Sequence, residues 1–273
     1  MQFLRIPRDR LKERMGKTSQ NILLKTPEEV RRMAEGGRRL EEVKAHLMEA
    51  VDVGVSAAKI EDLACELIEK TGGAPSFKMV PRYSWATCIN VNEGVVHGIP
   101  KAEIVFKEGD VASVDVGMFY EGFHTDTSFS LGLNVTDELD KFLKTGREAL
   151  RAAIDQVRPG KRIYDISNAI EVVVARNSFS PIKALVGHGI GRSLHEEPQI
   201  PCFADGTRQD TPEISEGAVL AIEVMYCQGS EEVVTGEDGW TIETADGKIA
   251  ALFEETVAAT KKGPLVLTRS PKS

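Results

Sequence analysis

The sequence predicts an α+β protein built on an antiparallel sheet. Two observations point there. Helical and strand patterns come in blocks, helices then strands twice over, rather than in alternating strand–helix units. Glu121–Gly122 and Asp246–Gly247 also lie between strand-like runs, as hairpin turns do. The recurrence of the blocks suggests an internal pseudo-repeat, although no residue-level repeat is visible.

Residues 1–24 carry six basic side chains (Arg5, Arg8, Arg10, Lys12, Arg14, Lys17) against Asp9 and Glu13. The plainer expectation for this N-terminal extension is a solvated, partly helical leader. The sharper one is a docking arm for an anionic partner such as a ribosome. Residues 25–273 are expected to form one domain. Thr26–Pro27–Glu28–Glu29 starts a helix: Thr26 caps, Pro27 suits the first turn and Glu29 closes a capping box. Val30, Met33, Leu40, Val43, Leu47 and Val51 extend a helical stripe towards Gly54. A second helix begins after Ser56, with Ile60, Leu63 and Leu67 inward, and stops at Gly72–Gly73.

Strands are expected at Ala86–Val91 and Glu103–Phe106, followed by a hairpin over 111–128. A third helix runs from Thr136 to Val157 and closes at Pro159–Gly160. A fourth covers Tyr164–Ala175. Strands at Ile182–Val186, Ala218–Cys227, Glu231–Val234, Trp240–Thr244 and Ile249–Thr260 complete the chain.

The 273 residues carry a net charge of −8, which argues against non-specific binding to nucleic acid or acidic membranes, and no specific nucleic-acid partner is expected. The four cysteines form no CxxC pair and read as reduced, so a cytoplasmic location is expected. No apolar run reaches ~18 residues, so no membrane span is expected. The basic N-terminus lacks the apolar core of a secretory signal.

The hairpin carries the first chemical hint. Asp115 and Asp126 lie eleven apart across the Glu121–Gly122 turn signal. A loop at Tyr120–Glu121 would set Asp126 opposite Asp115, and a loop at Glu121–Gly122 would set it opposite Gly117. Both registers put the two carboxylates on one face, because side chains alternate along a strand. Two ionised carboxylates that close repel each other unless a cation joins them or one keeps its proton. Glu223 and Glu254 each interrupt an apolar strand, where a charge needs a partner or a metal. Glu255 follows on the opposite face and is expected to meet solvent.

His188 and His195 lie in a glycine-rich turn. Its G-x-G-x-G spacing is not the dinucleotide fingerprint, and the glycines would instead let backbone approach a ligand. Asp115, Asp126, Glu223 and Glu254 with His188 suit a pair of divalent ions that activate water and polarise a carbonyl. His97, in a Gly/Pro-bounded turn, and His195 remain as outer polar groups.

These residues fall within a wider set of motifs: Asn92–Glu93, His97–Gly98–Ile99–Pro100, Asp115–Val116, Gly122–Phe123–His124 and Asp126–Thr127–Ser128. The set continues with Gly187–His188–Gly189–Ile190–Gly191, His195–Glu196–Glu197–Pro198, Ile222–Glu223, Trp240–Thr241 and Phe253–Glu254. In this order they resemble the type I methionine aminopeptidases of the pita-bread fold, from about residue 25 to the C-terminus. The resemblance implies a pseudo-symmetric antiparallel sheet with helices on its outer face. It implies a cytoplasmic metallo-exopeptidase, expected as a monomer, that takes the initiator methionine from nascent polypeptides with a small second residue.

It further implies that Asp115, Asp126, His188, Glu223 and Glu254 bind two divalent ions (Co, Mn, Fe, Zn or Ni). Asp126 and Glu254 would bridge the ions, and a bridging water or hydroxide would attack the scissile carbonyl. Glu223 would accept the proton. His195 would bond the scissile carbonyl, and His97 the amide or tetrahedral centre. Cys88, Trp240 and Leu194 would line the methionine pocket. The chain departs from the family pattern at several positions. Arg82–Trp85 stands where a shorter Pro-Lys-Ser is usual, so a different pocket wall is expected there, and Val96 replaces a Cys. Gly117 and Ala221 stand where Thr is usual, Val224 replaces Pro, Leu194 an aromatic and Glu255 a His. The rivals are a proline-directed peptidase of the same fold, which usually carries an additional N-terminal domain, and a non-catalytic binding relative.

Overall fold

A computed structural model describes residues 21–269. The extension expected over 1–24 therefore lies outside the described residues as far as residue 20. Helix α1 (Pro27–Ala50) begins with the expected box. Thr26 Oγ1 accepts from the Glu29 amide at 3.3 Å, and the Glu29 carboxylate accepts from the Thr26 amide at 2.8 Å. Met33, Leu40, Val43 and Leu47 are fully buried along one stripe, each worth about 1.5–3 kcal/mol of burial.

Helix α2 (Ala57–Lys70) buries Ala57, Ile60, Ala64 and Ile68, leaving Leu63 and Leu67 half-buried at the margin. The buried face also takes in Glu61, whose carboxylate accepts from the Ala86 amide (2.7 Å), the Thr87 amide (2.9 Å) and the Thr87 hydroxyl (2.7 Å). A buried carboxylate with three donors is satisfied, and here it anchors the start of the next strand.

The strands of the first half are β1 (Ala74–Pro75), β2 (Thr87–Val91), β3 (Gly94–Val96), β4 (Val111–Tyr120) and β5 (Phe123–Gly132). Helices α3 (Asp137–Ile154) and α4 (Ile163–Arg176) follow, with Thr136 capping α3. Then come β6 (Ser180–Pro181), β7 (Val186–Gly189), β8 (Glu196–Pro201), β9 (Val219–Cys227), β10 (Val233–Thr235), β11 (Ile242–Thr244), β12 (Ala250–Thr260) and β13 (Gly263–Val266).

The main sheet runs β1-β4-β5-β12-β9-β7-β8, with β2 on β4, β6 on β9 and β13 on β12; β10, β11 and β3 form a smaller sheet. Every pairing is antiparallel. Ala112, Val114, Val116 and Met118 of β4 pack with α1 and α2. Leu220, Ile222 and Val224 of β9 pack with α3 and α4. Each half of the sheet thus carries its own helix pair on one face, and the halves meet at β5–β12. This is the pseudo-symmetric pita-bread arrangement. Among the described residues no helix is long and apolar enough to cross a membrane.

Three expectations need correction. Glu103–Phe106 forms no strand beyond one bridge from Val105 to Ser56. Its backbone groups bond the α1–α2 connection instead: Ala57 N to Ile104 O at 2.8 Å and Phe106 N to Val55 O at 2.9 Å. A loop partner cannot extend a ladder. Ile182–Val186 is instead the link between β6 and β7, with only Val186 in a strand, although Ile182 N still bonds Met225 O at 2.9 Å. Glu255 lies opposite Glu254 as expected, but it is buried, because α1 covers that face. Lys44 Nζ bonds both of its oxygens at 3.0 Å, Thr268 Oγ1 donates at 2.5 Å and Arg269 lies 3.5 Å away.

Candidate metal centre

The uncovered face of the sheet brings the acidic residues into one row. The β4–β5 hairpin turns at Glu121 and Gly122, both at positive φ (46° and 87°), as a two-residue turn matching strand twist requires. Of the two registers open to the sequence, the structure therefore takes the one with Asp126 opposite Gly117 and Asp115 opposite Ser128. Ser128 pairs with Glu254, and Glu254 with Glu223. On the other side Cys88 pairs with Asp115. Directly opposed side chains share a face, so Cys88, Asp115, Ser128, Glu254 and Glu223 line up across five strands. Asp126 is two residues from Ser128 on the same face. His188 pairs with Ala221, two residues from Glu223.

Ligand atoms of Asp126, His188 and Glu254 lie within 4.8 Å of one another. Glu223 Oε1 is 3.5 Å from His188 Nε2. His188 Nδ1 bonds the Gly189 carbonyl at 2.8 Å, which leaves Nε2 facing the acids. Asp115 flanks the group, lining the same cavity as Asp126 and Glu254. The centre thus gathers a close trio with Asp115 and Glu223 on either side.

The electrostatics of this cluster are one-sided. Burial, acting against its charge, pushes the Asp115 carboxyl up to about 7. Burial and neighbouring carboxylates push Asp126, Glu223 and Glu254 well above the ordinary range. A basic group within ion-pair distance of Glu223 is His188. Burial and His195 lower its imidazole to about 3, so it is neutral. Asp115 Oδ1, Glu254 Oε1 and the Ser128 hydroxyl are buried without a hydrogen-bond partner. Buried acceptors without donors or counter-charge are costly. Four carboxylates, one imidazole and orphaned oxygens turned to one face fit divalent cations.

A cavity of about 260 Å³ opens beside the acids and is lined by Phe77, Tyr83, Cys88, Leu194, Trp240 and both His97 and His195. A larger space of about 480 Å³ shares His97, His188, His195 and Glu223 and continues past Ala184 and Gln199. Every site residue expected from the sequence borders at least one of the two. His97 is held in the left-handed region at φ 61°, and burial lowers its imidazole to about 4. The His195 ring stands edge-on to His188, 4.6 Å between centroids.

Phe77 and Val80 are wall residues that sequence reasoning missed, while Tyr83 falls in the Arg82–Trp85 stretch where a different wall is expected. Tyr83 stands edge-on to Trp240 (5.1 Å) and Trp85 (5.3 Å), with its hydroxyl bonded to Thr87 O at 2.8 Å. These residues occupy a stretch without periodicity; the one available signal was its cluster of aromatics between helix and strand. Gly117 has a local cause: a Cβ there would lie 2.9 Å from both Phe77 Cε1 and Ser76 Cβ. The missing side chain makes room for the cavity wall. His124, also on β5, accepts or donates at Nδ1 to Ser76 Oγ (2.9 Å) and packs on Phe119. It ties the strand to that wall.

The sequence profile of metallopeptidase family M24 matches residues 31–261. Methionine aminopeptidase 1 of Bacillus subtilis is 39% identical over 249 residues, covering 91% of this chain and 99% of its own. A methionine aminopeptidase of Clostridium perfringens is 40% identical over 248 residues, covering 90% and 98%. The crystal structure of methionine aminopeptidase from Thermotoga maritima superposes with a TM-score of 0.88 at 39% identity, covering 92% of this chain and all of that one.

Proposed function

The chain belongs to metallopeptidase family M24, and from that premise we propose that it is a methionyl aminopeptidase of the cytoplasm. It releases the initiator methionine from nascent chains whose second residue is small, with 25–273 as the catalytic unit. The observation that carries this reading is the row of orphaned carboxylates beside an aromatic, sulfur-lined cavity. Asp115, Asp126, His188, Glu223 and Glu254 would hold two divalent ions, among Co, Mn, Fe, Zn and Ni. When bound, the ions supply a water acidic enough to attack a carbonyl, and Lewis acidity to polarise it.

The chain's own residues do the rest. Cys88, Leu194, Trp240 and Tyr83 enclose an unbranched thioether side chain, whose sulfur favours aromatic edges. Binding there fixes residue one with its carbonyl beside the acids. His195 donates to the oxygen that gains charge, and His97 bonds the amide or the tetrahedral centre. Glu223 takes up the proton of the attacking water and passes it to the departing amine.

Metal analysis joined to a methionine-release assay tests the reading. Divalent-loaded protein is expected to release methionine from a Met-Ala-Ser peptide and to stop on chelation. Loaded protein that releases none, or that cleaves X-Pro peptides in preference, overturns the assignment.

A further inference from the structure

The turn that carries His195 is held from outside by a lysine far away in sequence. We propose that Lys25 is a positioning residue for His195, acting through Glu196; this rests on the methionyl aminopeptidase reading above. Lys25 Nζ lies 2.5 Å from Glu196 Oε2, and the two side chains are only 1% and 3% exposed. The ammonium also donates to Leu23 O at 2.8 Å. Glu196 Oε1 accepts from the Ser193 amide at 3.2 Å, so one carboxylate joins the lysine to the backbone of the turn.

The fit between strap and turn is close. A Cβ at Gly191 would lie 2.3 Å from Lys25 Cε and 2.9 Å from Glu196 Oε1. Lys25 itself is fixed by its amide, which donates to Gly217 O at 2.8 Å. Beneath the turn, Gly191 O accepts from the His124 amide at 2.7 Å. The segment 191–196 is thus gripped between β5 and the chain leading into α1. Lys25 borders neither cavity, whereas Glu196 borders the larger one beside His195.

A buried carboxylate keeps its place only while its counter-charge is present. Without the ammonium, Glu196 would turn towards water and draw the adjacent His195 backbone with it. Misplacement by about 1 Å of a group aimed at reacting atoms costs on the order of 10²-fold in rate. The second charge contact between the same segments, Arg192 with Glu29, is exposed on its arginine side and is expected to matter little.

The test compares Lys25→Met, Lys25→Arg, the double variant Lys25→Met/Glu196→Gln, and Arg192→Gln as a control. The readouts are kcat and KM for methionine release, metal affinity, and backbone hydrogen exchange of the metal-free protein. Lys25→Met is expected to lower kcat about 10²-fold with KM and metal affinity little changed, and to speed exchange over 190–197 alone. Lys25→Arg should restore both, and the double variant should recover exchange protection. Unchanged kcat and exchange in Lys25→Met would overturn the proposal, as would faster exchange spread through the whole sheet. If loaded wild type releases no methionine, the assigned activity falls, while exchange over 190–197 still decides whether Lys25 holds the turn.

Discussion

Stripping metal from the protein should make its stability fall as pH rises above 6.5. In the metal-free state burial holds the Asp115 carboxyl up to about 7, and Asp126, Glu223 and Glu254 well above the usual range. In the unfolded chain the same groups ionise near pH 4. Above 6.5 the native state therefore keeps protons that the unfolded state has already lost, so stability declines with pH. The histidines of the site act in the opposite sense but lower down. His188, His97 and His124 are held to about 3, 4 and 4. Their depressed values favour the folded state above the ordinary imidazole value, and that contribution is lost as pH falls below 6.5. Above 6.5 they are neutral in both states, so the carboxyls dominate, with the raised thiols of Cys88, Cys202 and Cys227 adding in the same direction near pH 8.

One retained proton costs about 1.4 kcal/mol per pH unit, or about 2 kcal/mol between pH 6.5 and about 8. For a domain of this size that is a drop of about 4–8 °C in Tm. Melting followed by circular dichroism, in chelator and in saturating Mn²⁺, measures it. The chelated protein should show the decline, and the loaded protein should not, because cations keep the carboxylates ionised. A flat or rising Tm in chelator, or the same slope in Mn²⁺, refutes the reasoning.

Other expectations follow from the same geometry. Asp126→Asn should weaken divalent-metal affinity by more than about 100-fold, measured by calorimetric titration. His195→Ala should lower kcat for methionine release by about 10²–10³ while metal content stays at the wild-type level. Tyr83→Ala opens the cavity wall beside Trp240 and should raise KM for Met-Ala-Ser about tenfold or more, with a smaller effect on kcat. Lys44→Met strands the buried Glu255 and should cost about 3–5 kcal/mol in denaturant unfolding, much of it recovered when Glu255→Gln is added.

Local chemistry was legible in the sequence, and long-range register was not. Thr26 and Glu29 announce their helix because a capping box is complete within four residues. Asp115 and Asp126 announce a shared face because period two holds in either hairpin register. The choice between those registers needed the backbone at Glu121–Gly122. Lining up Asp115 with Glu254 and Glu223 needed the pairing of β5 with β12, strands more than a hundred residues apart in the chain, which no local pattern encodes. Glu255 shows the same limit: alternation places it opposite Glu254, but only the packing of α1 makes that face an interior. Phe77 and Val80 escaped notice because a cavity wall is assembled from irregular segments. Glu61 escaped because a buried acid satisfied by backbone amides looks like any helical surface residue.

The row of acids also has a mechanical meaning. Asp115 and Asp126 belong to the first half of the sheet, and His188, Glu223 and Glu254 to the second. The ladder between the halves is short, with Glu254–Ser128 and Glu255–Thr127 as its registered pairs, against nine between β12 and β9. A cation held by Asp126 and Glu254 would act as a rivet across this joint, so chelation should loosen β5 from β12 before it disturbs either half.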